Sequence, residues 1–119
     1  SPTSLHRLET QANIWLANVR PDGRAHLSPI WFVWHKGTIF LCTTSRAVKT
    51  ANITQNPHVA LSLEDGSHPL ICEAAAAFIP PPWPPAVAAL FQAKYAWDLA
   101  TDPAYDTLIA VTPRKWLSW

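Results

Sequence analysis

A group of hydrogen-bond donors and cations follows one apolar segment of the chain. The stretch "CTTSRAVK", Cys42 to Lys49, comes directly after the apolar run at residues 38–41. Its donor side chains are Thr43, Thr44, Ser45, Arg46 and Lys49. Hydroxyl groups donate hydrogen bonds to phosphate oxygens, and a guanidinium or ammonium group neutralises phosphate charge. The segment therefore predicts a site for a small anion.

The residues from Ser45 onward predict a helix that would strengthen such a site. Ser45 is a favourable N-cap residue, and Asn56-Pro57 ends the pattern. Apolar residues recur at near-helical spacing at Ala47, Val48, Ala51 and Ile53. A helix beginning at Ser45 would direct free N–H groups and the positive end of its dipole at an anion. The alternative is a solvated surface helix with two incidental cations, and the residue types leave both interpretations open.

An aromatic strand is the second candidate for chemistry. "SPIWFVW", Ser28 to Trp34, has a proline inside a strand-like segment. Because Pro29 has no N–H group, it belongs at a sheet edge or bulge. The chain has seven tryptophans, which either fill the ends of a barrel and a subunit interface or form a wall for a planar ligand. Together with an anion site, such a wall suggests flavin mononucleotide (FMN), a flat ring on a phosphorylated tail.

The elements that must position these residues are mostly strands. Strands are predicted at 13–19, 25–34, 38–43, 58–65, 68–79 and 105–119, and helices at 4–11, 45–56 and 86–100. "RPDGR" at 20–24 and "HKG" at 35–37 are tight turns, while "PPPWPP" at 80–85 is a stiff extended connection. With no βαβ rhythm, this order predicts one domain, residues 1–119, that is mainly β with short helices (β+α) and forms a six-stranded antiparallel barrel.

Composition excludes several classes of function. The 119 residues include 49% apolar and 14% charged residues and carry a net charge of +1, which does not support sequence-independent nucleic-acid binding. No segment approaches the roughly 18 apolar residues of a membrane span. The start "SPTSLHRLE" lacks a secretion signal, so we expect a cytoplasmic protein. Cys42 and Cys72 lie in apolar runs and are expected to be buried thiols.

Other potentially reactive side chains form no recognisable constellation. The histidines, His6, His26, His35, His58 and His68, lack the spacing of a zinc site. Asp98, Asp102 and Asp106 are interpreted as solvated turn residues. No nucleophile motif or paired carboxylate is present, so no catalytic residue is identified. This pattern is compatible with an enzyme whose cofactor supplies the chemistry.

The stretch Val19 to Asp65 resembles the flavin-binding split-barrel proteins of the pyridoxamine 5′-phosphate oxidase type. The resemblance rests on "RPDGRAHLSPIWF", on the Thr/Ser cluster with its lysine, and on "NITQNPHVALSLED", in that order. It implies a six-stranded split barrel and a homodimer with flavin at the subunit interface.

The resemblance also assigns site residues. Lys49, seven residues before Asn56, takes the place of the family's phosphate lysine. The residues that would line the phosphate and ribityl chain are Thr43, Thr44, Ser45 and Arg46. The strand that would run along the isoalloxazine ring comprises His26, Leu27, Ser28, Pro29, Ile30 and Trp31. Trp119, six residues after Pro113, would touch the flavin of the other subunit.

Two departures from the family pattern bear on the reaction. The C-terminal "LIAVTPRKWLSW" lacks the basic motif that grips a substrate phosphate, and a strand that often reads Glu-Gly in relatives reads Glu73-Ala74. We therefore expect an FMN-dependent oxidoreductase that passes electrons from reduced nicotinamide to a small organic substrate other than a vitamin B6 phosphate. The alternatives are a reductase that uses the deazaflavin F420 and a non-catalytic flavin or haem carrier or sensor.

Overall fold

The structure, a computed structural model, describes residues 1–119. The strands are β1 (Asn13–Val19), β2 (Ala25–His35), β3 (Thr38–Thr43), β4 (His58–Ser62), β5 (Leu70–Ile79) and β6 (Thr107–Ser118). The helices are α1 (Pro2–Thr10), α2 (Val48–Gln55) and α3 (Pro85–Tyr95), with a 3-10 turn at Leu99–Thr101. No helix is long and apolar enough to cross a membrane.

The six strands form a closed antiparallel barrel in the order β1-β2-β3-β6-β5-β4. This confirms the predicted mainly-β, six-stranded antiparallel barrel with short helices. The turn at 20–24 joins β1 to β2 as expected, with Gly23 at φ 90°, a conformation that glycine adopts without strain. Alternate residues of β1, including Ile14 and Leu16, point into the barrel and are buried.

Two apolar clusters stabilise the fold. The larger fills the barrel, and Cys72 belongs to it. The smaller lies between the outer face of β2, β3 and β6 and the inner face of α3, and it contains Cys42 and Phe91. Both thiols are buried as predicted, and burial raises the pKa of Cys42 to about 12 and that of Cys72 to about 11. Neither thiol is a thiolate at neutral pH.

The barrel is split between β2 and β3. Residues 25–31 of β2 pair with β1, but only residues 32–35 pair with β3. Beyond the Phe32–Leu41 pair the two strands diverge, while β3 continues beside β6 to Thr43. Pro29 lies in the part of β2 that has a neighbour on one side only. Its predicted position at an edge is therefore confirmed.

Helix α3 is fastened to β2 where the split begins. The Tyr95 hydroxyl accepts a hydrogen bond from the Phe32 N–H at 2.9 Å and lies 2.7 Å from the Ala12 carbonyl oxygen, to which it donates. Lys94 Nζ donates to the Phe32 carbonyl at 2.9 Å and lies 3.8 Å from the centroid of the Phe32 ring. Burial raises the pKa of Tyr95 to about 12 and lowers the pKa of Lys94 to about 8. The hydroxyl thus bridges Ala12 and Phe32 just beyond the last β1–β2 pair, Asn13–Trp31.

Tyr95→Phe is expected to lower the free energy of unfolding by about 1–3 kcal/mol, because the Phe32 N–H loses its acceptor in a partly buried place. Urea denaturation followed by circular dichroism measures the change. Tyr105→Phe is the matched control, since the Tyr105 side chain is exposed and its hydroxyl bonds nothing in the protein. Equal losses for the two variants would show that the hydroxyl bridge does not stabilise the fold.

Several element boundaries differ from those predicted. The helix expected from Ser45 begins at Val48 with Ala47 as its N-cap, so the prediction of Ser45 as N-cap is wrong. The physical reason is that the Asp106 carboxylate accepts hydrogen bonds from the Ser45 N–H at 2.8 Å and from its hydroxyl at 3.1 Å. The helix expected to reach residue 100 ends at Tyr95, because Ala96 adopts the left-handed conformation with φ 51°.

Candidate functional site

A cavity of about 440 Å³ lies where β2 and β3 diverge. Its lining residues come from β1, β2, β3, α2 and the segment between α3 and β6: Asn13, Pro29, Ile30, Trp31, Cys42, Thr43, Lys49, Trp97, Asp102 and Tyr105. The volume is in the range of small-molecule and cofactor sites. The split in the barrel therefore produces a recess with both polar and aromatic walls.

Lys49 is the cation of this cavity. It lies in the first turn of α2, is half-buried and forms no ion pair; the ion pairs of the protein are Arg24–Asp22 and His68–Asp65. Burial lowers the pKa of Lys49, which means that its charged form loses hydration without gaining a carboxylate partner. A bound anion would offset that loss. Thr43, which is buried, also lines the cavity.

The edge of β2 offers backbone groups to the split. In a strand, the N–H and C=O groups of one residue point to the same side, and those of the next residue point to the opposite side. The backbone groups of Phe32 face the side of β1, because they bond Tyr95, which also bonds Ala12. Those of Pro29 and Trp31 therefore face the split. At Pro29 only a carbonyl is presented, so the missing N–H costs no hydrogen bond there.

Beneath this edge lie buried polar groups without partners. His26 pairs across the sheet with Asn18, and Ser28 pairs with Leu16. Asn18 and Leu16 are buried, and because paired residues share a face of the sheet, His26 and Ser28 lie on the inner face. Neither His26 Nδ1 nor Ser28 Oγ has a hydrogen-bond partner, and both are buried. Burial lowers the pKa of His26, and the charges of Arg20 and Lys49 lower it further. Such unpartnered groups are uncommon in folded proteins and mark places that a polar ligand or water satisfies.

An aromatic wall closes the other part of the cavity. The Trp31 ring stacks on Tyr95 with centroids 4.4 Å apart and planes 6° from parallel. Trp97 meets Trp31 edge-on at 5.8 Å and Tyr105 at 5.0 Å, and its Nε1 donates to Asp102 Oδ2 at 3.1 Å. The sequence analysis did not identify Trp97, Asp102 or Tyr105 as site residues. The signal available was the density of aromatic residues in "KYAWDLATDPAYD".

Asp102 directly precedes a turn and is partly exposed, but its side chain also lines the cavity, which the sequence did not predict. Asp106 is exposed but occupied by its hydrogen bonds to Ser45. No group of three or more His, Cys, Asp or Glu side chains is placed to hold a metal ion.

The structure brings five of the predicted site residues together in the cavity. They are Pro29, Ile30, Trp31, Thr43 and Lys49. The other predicted residues of this region, which do not line the cavity, are His26, Leu27, Ser28, Thr44, Ser45 and Arg46. Leu27 and Arg46 are exposed, and the Thr44 carbonyl accepts a hydrogen bond from the Thr50 hydroxyl at 2.7 Å.

Trp119 lies far from the cavity of its own chain. β6 begins beside Thr43 and ends beside Leu70, at the opposite end of the barrel. The Trp119 side chain is 80% exposed. It could contact a ligand in the split only if that ligand were bound to another subunit.

A sequence profile of the pyridoxamine 5′-phosphate oxidase family matches residues 5–119. No curated protein sequence matches the chain.

The solved structures that share the architecture include an F420 reductase, a mycobacterial protein and a haem storage protein. An F420 reductase is 27% identical, with a TM-score of 0.77 and coverage of 94% of each chain. A conserved hypothetical protein from Mycobacterium tuberculosis is 23% identical, with a TM-score of 0.79 and coverage of 100% of this chain and 84% of the other. The haem storage protein HutZ from Vibrio cholerae is 19% identical, with a TM-score of 0.82 and coverage of 99% and 93%.

Proposed function

Since the chain belongs to the pyridoxamine 5′-phosphate oxidase family, we propose that it binds FMN in the split between β2 and β3 and acts as an oxidoreductase. Electrons would come from reduced nicotinamide and pass to a small organic acceptor. The observation that carries the proposal is Lys49, a half-buried ammonium group without a carboxylate partner in the wall of a cofactor-sized cavity.

The residues present fit the parts of FMN. Lys49 would bind the phosphate through a charge-assisted hydrogen bond, with Thr43 beside it. The free carbonyl of Pro29 and the backbone of Trp31 would meet the polar edge of the ring. The isoalloxazine ring supplies two-electron redox chemistry, and the protein contributes binding and orientation.

The phosphate site differs from the one expected from a helix that begins at Ser45. The Ser45 donors already bond Asp106, so Lys49 and the N-terminal N–H groups of α2 would carry most of the phosphate binding. Arg46 is exposed and free of ion pairs, and it can approach a phosphate from solvent. Ser45 would contribute only if the phosphate displaced the Asp106 carboxylate.

A second candidate is an F420-dependent reductase. The F420 reductase among the solved structures is 27% identical over 94% of this chain, and Arg46 and Lys49 would suit a longer anionic tail. A haem carrier has less support, because the haem storage protein is only 19% identical and no histidine lines the cavity. A non-catalytic flavin carrier or sensor would need the same cavity as the enzyme.

Ligand titrations followed by turnover assays distinguish these functions. The purified protein is titrated with FMN, riboflavin, F420 and haemin, and the flavin-loaded protein is then mixed with NADH or NADPH and candidate acceptors. We expect the tightest binding for FMN and oxidation of the reduced nicotinamide over many cycles. Tight FMN binding without turnover would indicate a carrier, and preference for F420 would replace FMN as the cofactor.

We propose that the protein is a homodimer with the flavin at the subunit interface. Leu27, Trp31, Trp116 and Trp119 are exposed large apolar residues, and a monomer would leave them all in water. Analytical ultracentrifugation is expected to give a dimer at micromolar concentration. A monodisperse monomer that still binds flavin would contradict the interfacial site.

Trp119→Ala is expected to decrease the fraction of tryptophan fluorescence that FMN binding quenches, because the indole would contact the flavin of the partner. The lost contact is worth roughly 0.5–1.5 kcal/mol. Trp116→Ala is the matched control, since Trp116 is also exposed but packs edge-on against Trp34 at 6.1 Å. If Trp119→Ala lowered thermal stability and left quenching unchanged, Trp119 would only cap the barrel end.

A further inference from the structure

Asp102 is an unpaired carboxylate in the aromatic part of the cavity. Its side chain is half-buried, and its Oδ2 accepts one hydrogen bond, from Trp97 Nε1 at 3.1 Å. No arginine, lysine or histidine pairs with it, since the ion pairs of the protein lie elsewhere. Oδ1 receives no hydrogen bond from the protein. Half of the carboxylate is therefore available to a ligand.

The rings around Asp102 suit a positively charged, planar group. Trp31 and Tyr105 are 45% and 39% exposed, and both line the cavity. Trp97 is held between them by edge-on contacts and by its hydrogen bond to Asp102. Faces of tryptophan and tyrosine attract cations, and a neighbouring carboxylate adds to this attraction. Packing alone explains the contacts among the rings but not the exposed faces beside an unpaired carboxylate.

The cavity thus contains two unpaired charges of opposite sign. Lys49 and Asp102 both line it and do not form an ion pair with each other. A ligand that satisfies Lys49 is anionic, whereas one that satisfies Asp102 is a cation or a strong hydrogen-bond donor. FMN provides the anion, and its ring is uncharged. A cation that balances Asp102 would therefore come from a different molecule.

We propose that Trp31, Trp97, Asp102 and Tyr105 form a substrate subsite for planar organic cations, such as pyridinium ions or protonated heteroaromatic amines. This inference rests on the proposed function, in which the flavin occupies the part of the cavity near Lys49. The exposed Trp31 and Tyr105 rings would hold the planar cation between or against their faces. Asp102 Oδ1 would accept a hydrogen bond from the substrate or balance its charge.

A pair of probes of almost the same shape tests the charge preference. The 1-methylnicotinamide cation and neutral nicotinamide are titrated separately into the full-length protein saturated with FMN, and binding is followed by calorimetry. We expect the cation to bind about tenfold more tightly than the neutral probe, as a partly desolvated cation–π contact and a charge-assisted hydrogen bond would give. The preference should fall as the salt concentration rises.

Asp102→Asn is expected to abolish most of this preference. An asparagine keeps an oxygen that can accept from Trp97 Nε1, so the fold should remain intact. Asp98→Asn is the matched control, because Asp98 is exposed and outside the cavity, where it caps the 3-10 turn. Equal binding of the two probes to the parent protein, or an unchanged preference in Asp102→Asn, would overturn the subsite.

FMN binding is measured on the same samples to separate the two proposals. If FMN binds normally and the probes show no charge preference, the subsite is wrong and the proposed function stands. If the protein takes up no FMN but prefers the cation in a manner that depends on Asp102, the proposed function is wrong and the cation site stands.

Discussion

Lys49→Ala is expected to weaken FMN binding roughly 10- to 150-fold, or about 1.5–3 kcal/mol. The substitution removes a charge-assisted hydrogen bond to the phosphate. It also removes an ammonium group whose pKa burial lowers, so the flavin-free protein should not be destabilised. Quenching of FMN fluorescence at equilibrium, with increasing protein concentration, measures the dissociation constant.

Two controls show whether the loss concerns the phosphate. Riboflavin lacks the phosphate and should bind equally well to the parent protein and to Lys49→Ala. Lys36→Ala also removes one positive charge, but from an exposed position in the turn between β2 and β3. This variant should leave FMN affinity unchanged. If Lys49→Ala weakened riboflavin and FMN binding equally, Lys49 would not be a phosphate ligand.

Phe91→Ala is expected to lower the free energy of unfolding by about 3–5 kcal/mol. Phe91 is fully buried between α3 and the barrel, where it meets Trp97 edge-on at 5.6 Å and lies 6.2 Å from the Tyr95 ring. Removal of its ring leaves a cavity behind the aromatic wall of the site. Because folded domains are stable by only about 5–15 kcal/mol, the variant should unfold at much lower urea concentration than the parent.

The matched substitution for this prediction is Phe78→Ala. Phe78 lies on β5 and is partly exposed, and such substitutions usually change stability by about 1 kcal/mol or less. The free energies of unfolding of both variants are compared by urea denaturation, with one common dependence on urea concentration for all curves. Similar losses from Phe78→Ala and Phe91→Ala would mean that α3 does not stabilise the barrel through Phe91.

The barrel follows from local patterns in the sequence. The apolar run within Asn13–Val19 and the turn residues Pro21 to Gly23 are sufficient to predict the first hairpin. The unpaired edge of β2 is predictable for the same reason, since Pro29 cannot donate a backbone hydrogen bond. These features depend on neighbours in sequence and so appear without knowledge of the tertiary structure.

The start of α2 and the attachment of α3 depend on residues far apart in sequence. Ser45 is bound by Asp106, 61 positions later, and Phe32 by Tyr95, 63 positions later. Ser45 is a good N-cap by type, but its hydrogen bonds to the Asp106 carboxylate hold it outside the helix, which begins at Val48. No local pattern reports such competition, which explains why the predicted helix start was wrong.

The candidate site also contains some residues that local sequence patterns predict and others that only the tertiary structure brings there. Lys49 and Thr43 are predictable because a lysine and hydroxyl residues follow a strand, and the structure places both in one cavity with Trp31. Asp102 and Tyr105 reach that cavity only because the segment after α3 folds back over the split. In sequence they stand in a turn-rich region, where a solvated position is the ordinary expectation for an aspartate.

Mass spectrometry of the small molecule released from the purified protein tests whether the protein binds FMN. The protein is prepared under native conditions, denatured to release its ligand, and the supernatant is analysed, with apo-protein incubated in FMN and desalted as the reference. We expect the mass of FMN, at up to one molecule per chain, and loss of that signal in Lys49→Ala. Release of F420 or haem, or failure of the protein both to carry and to take up FMN, would contradict this expectation.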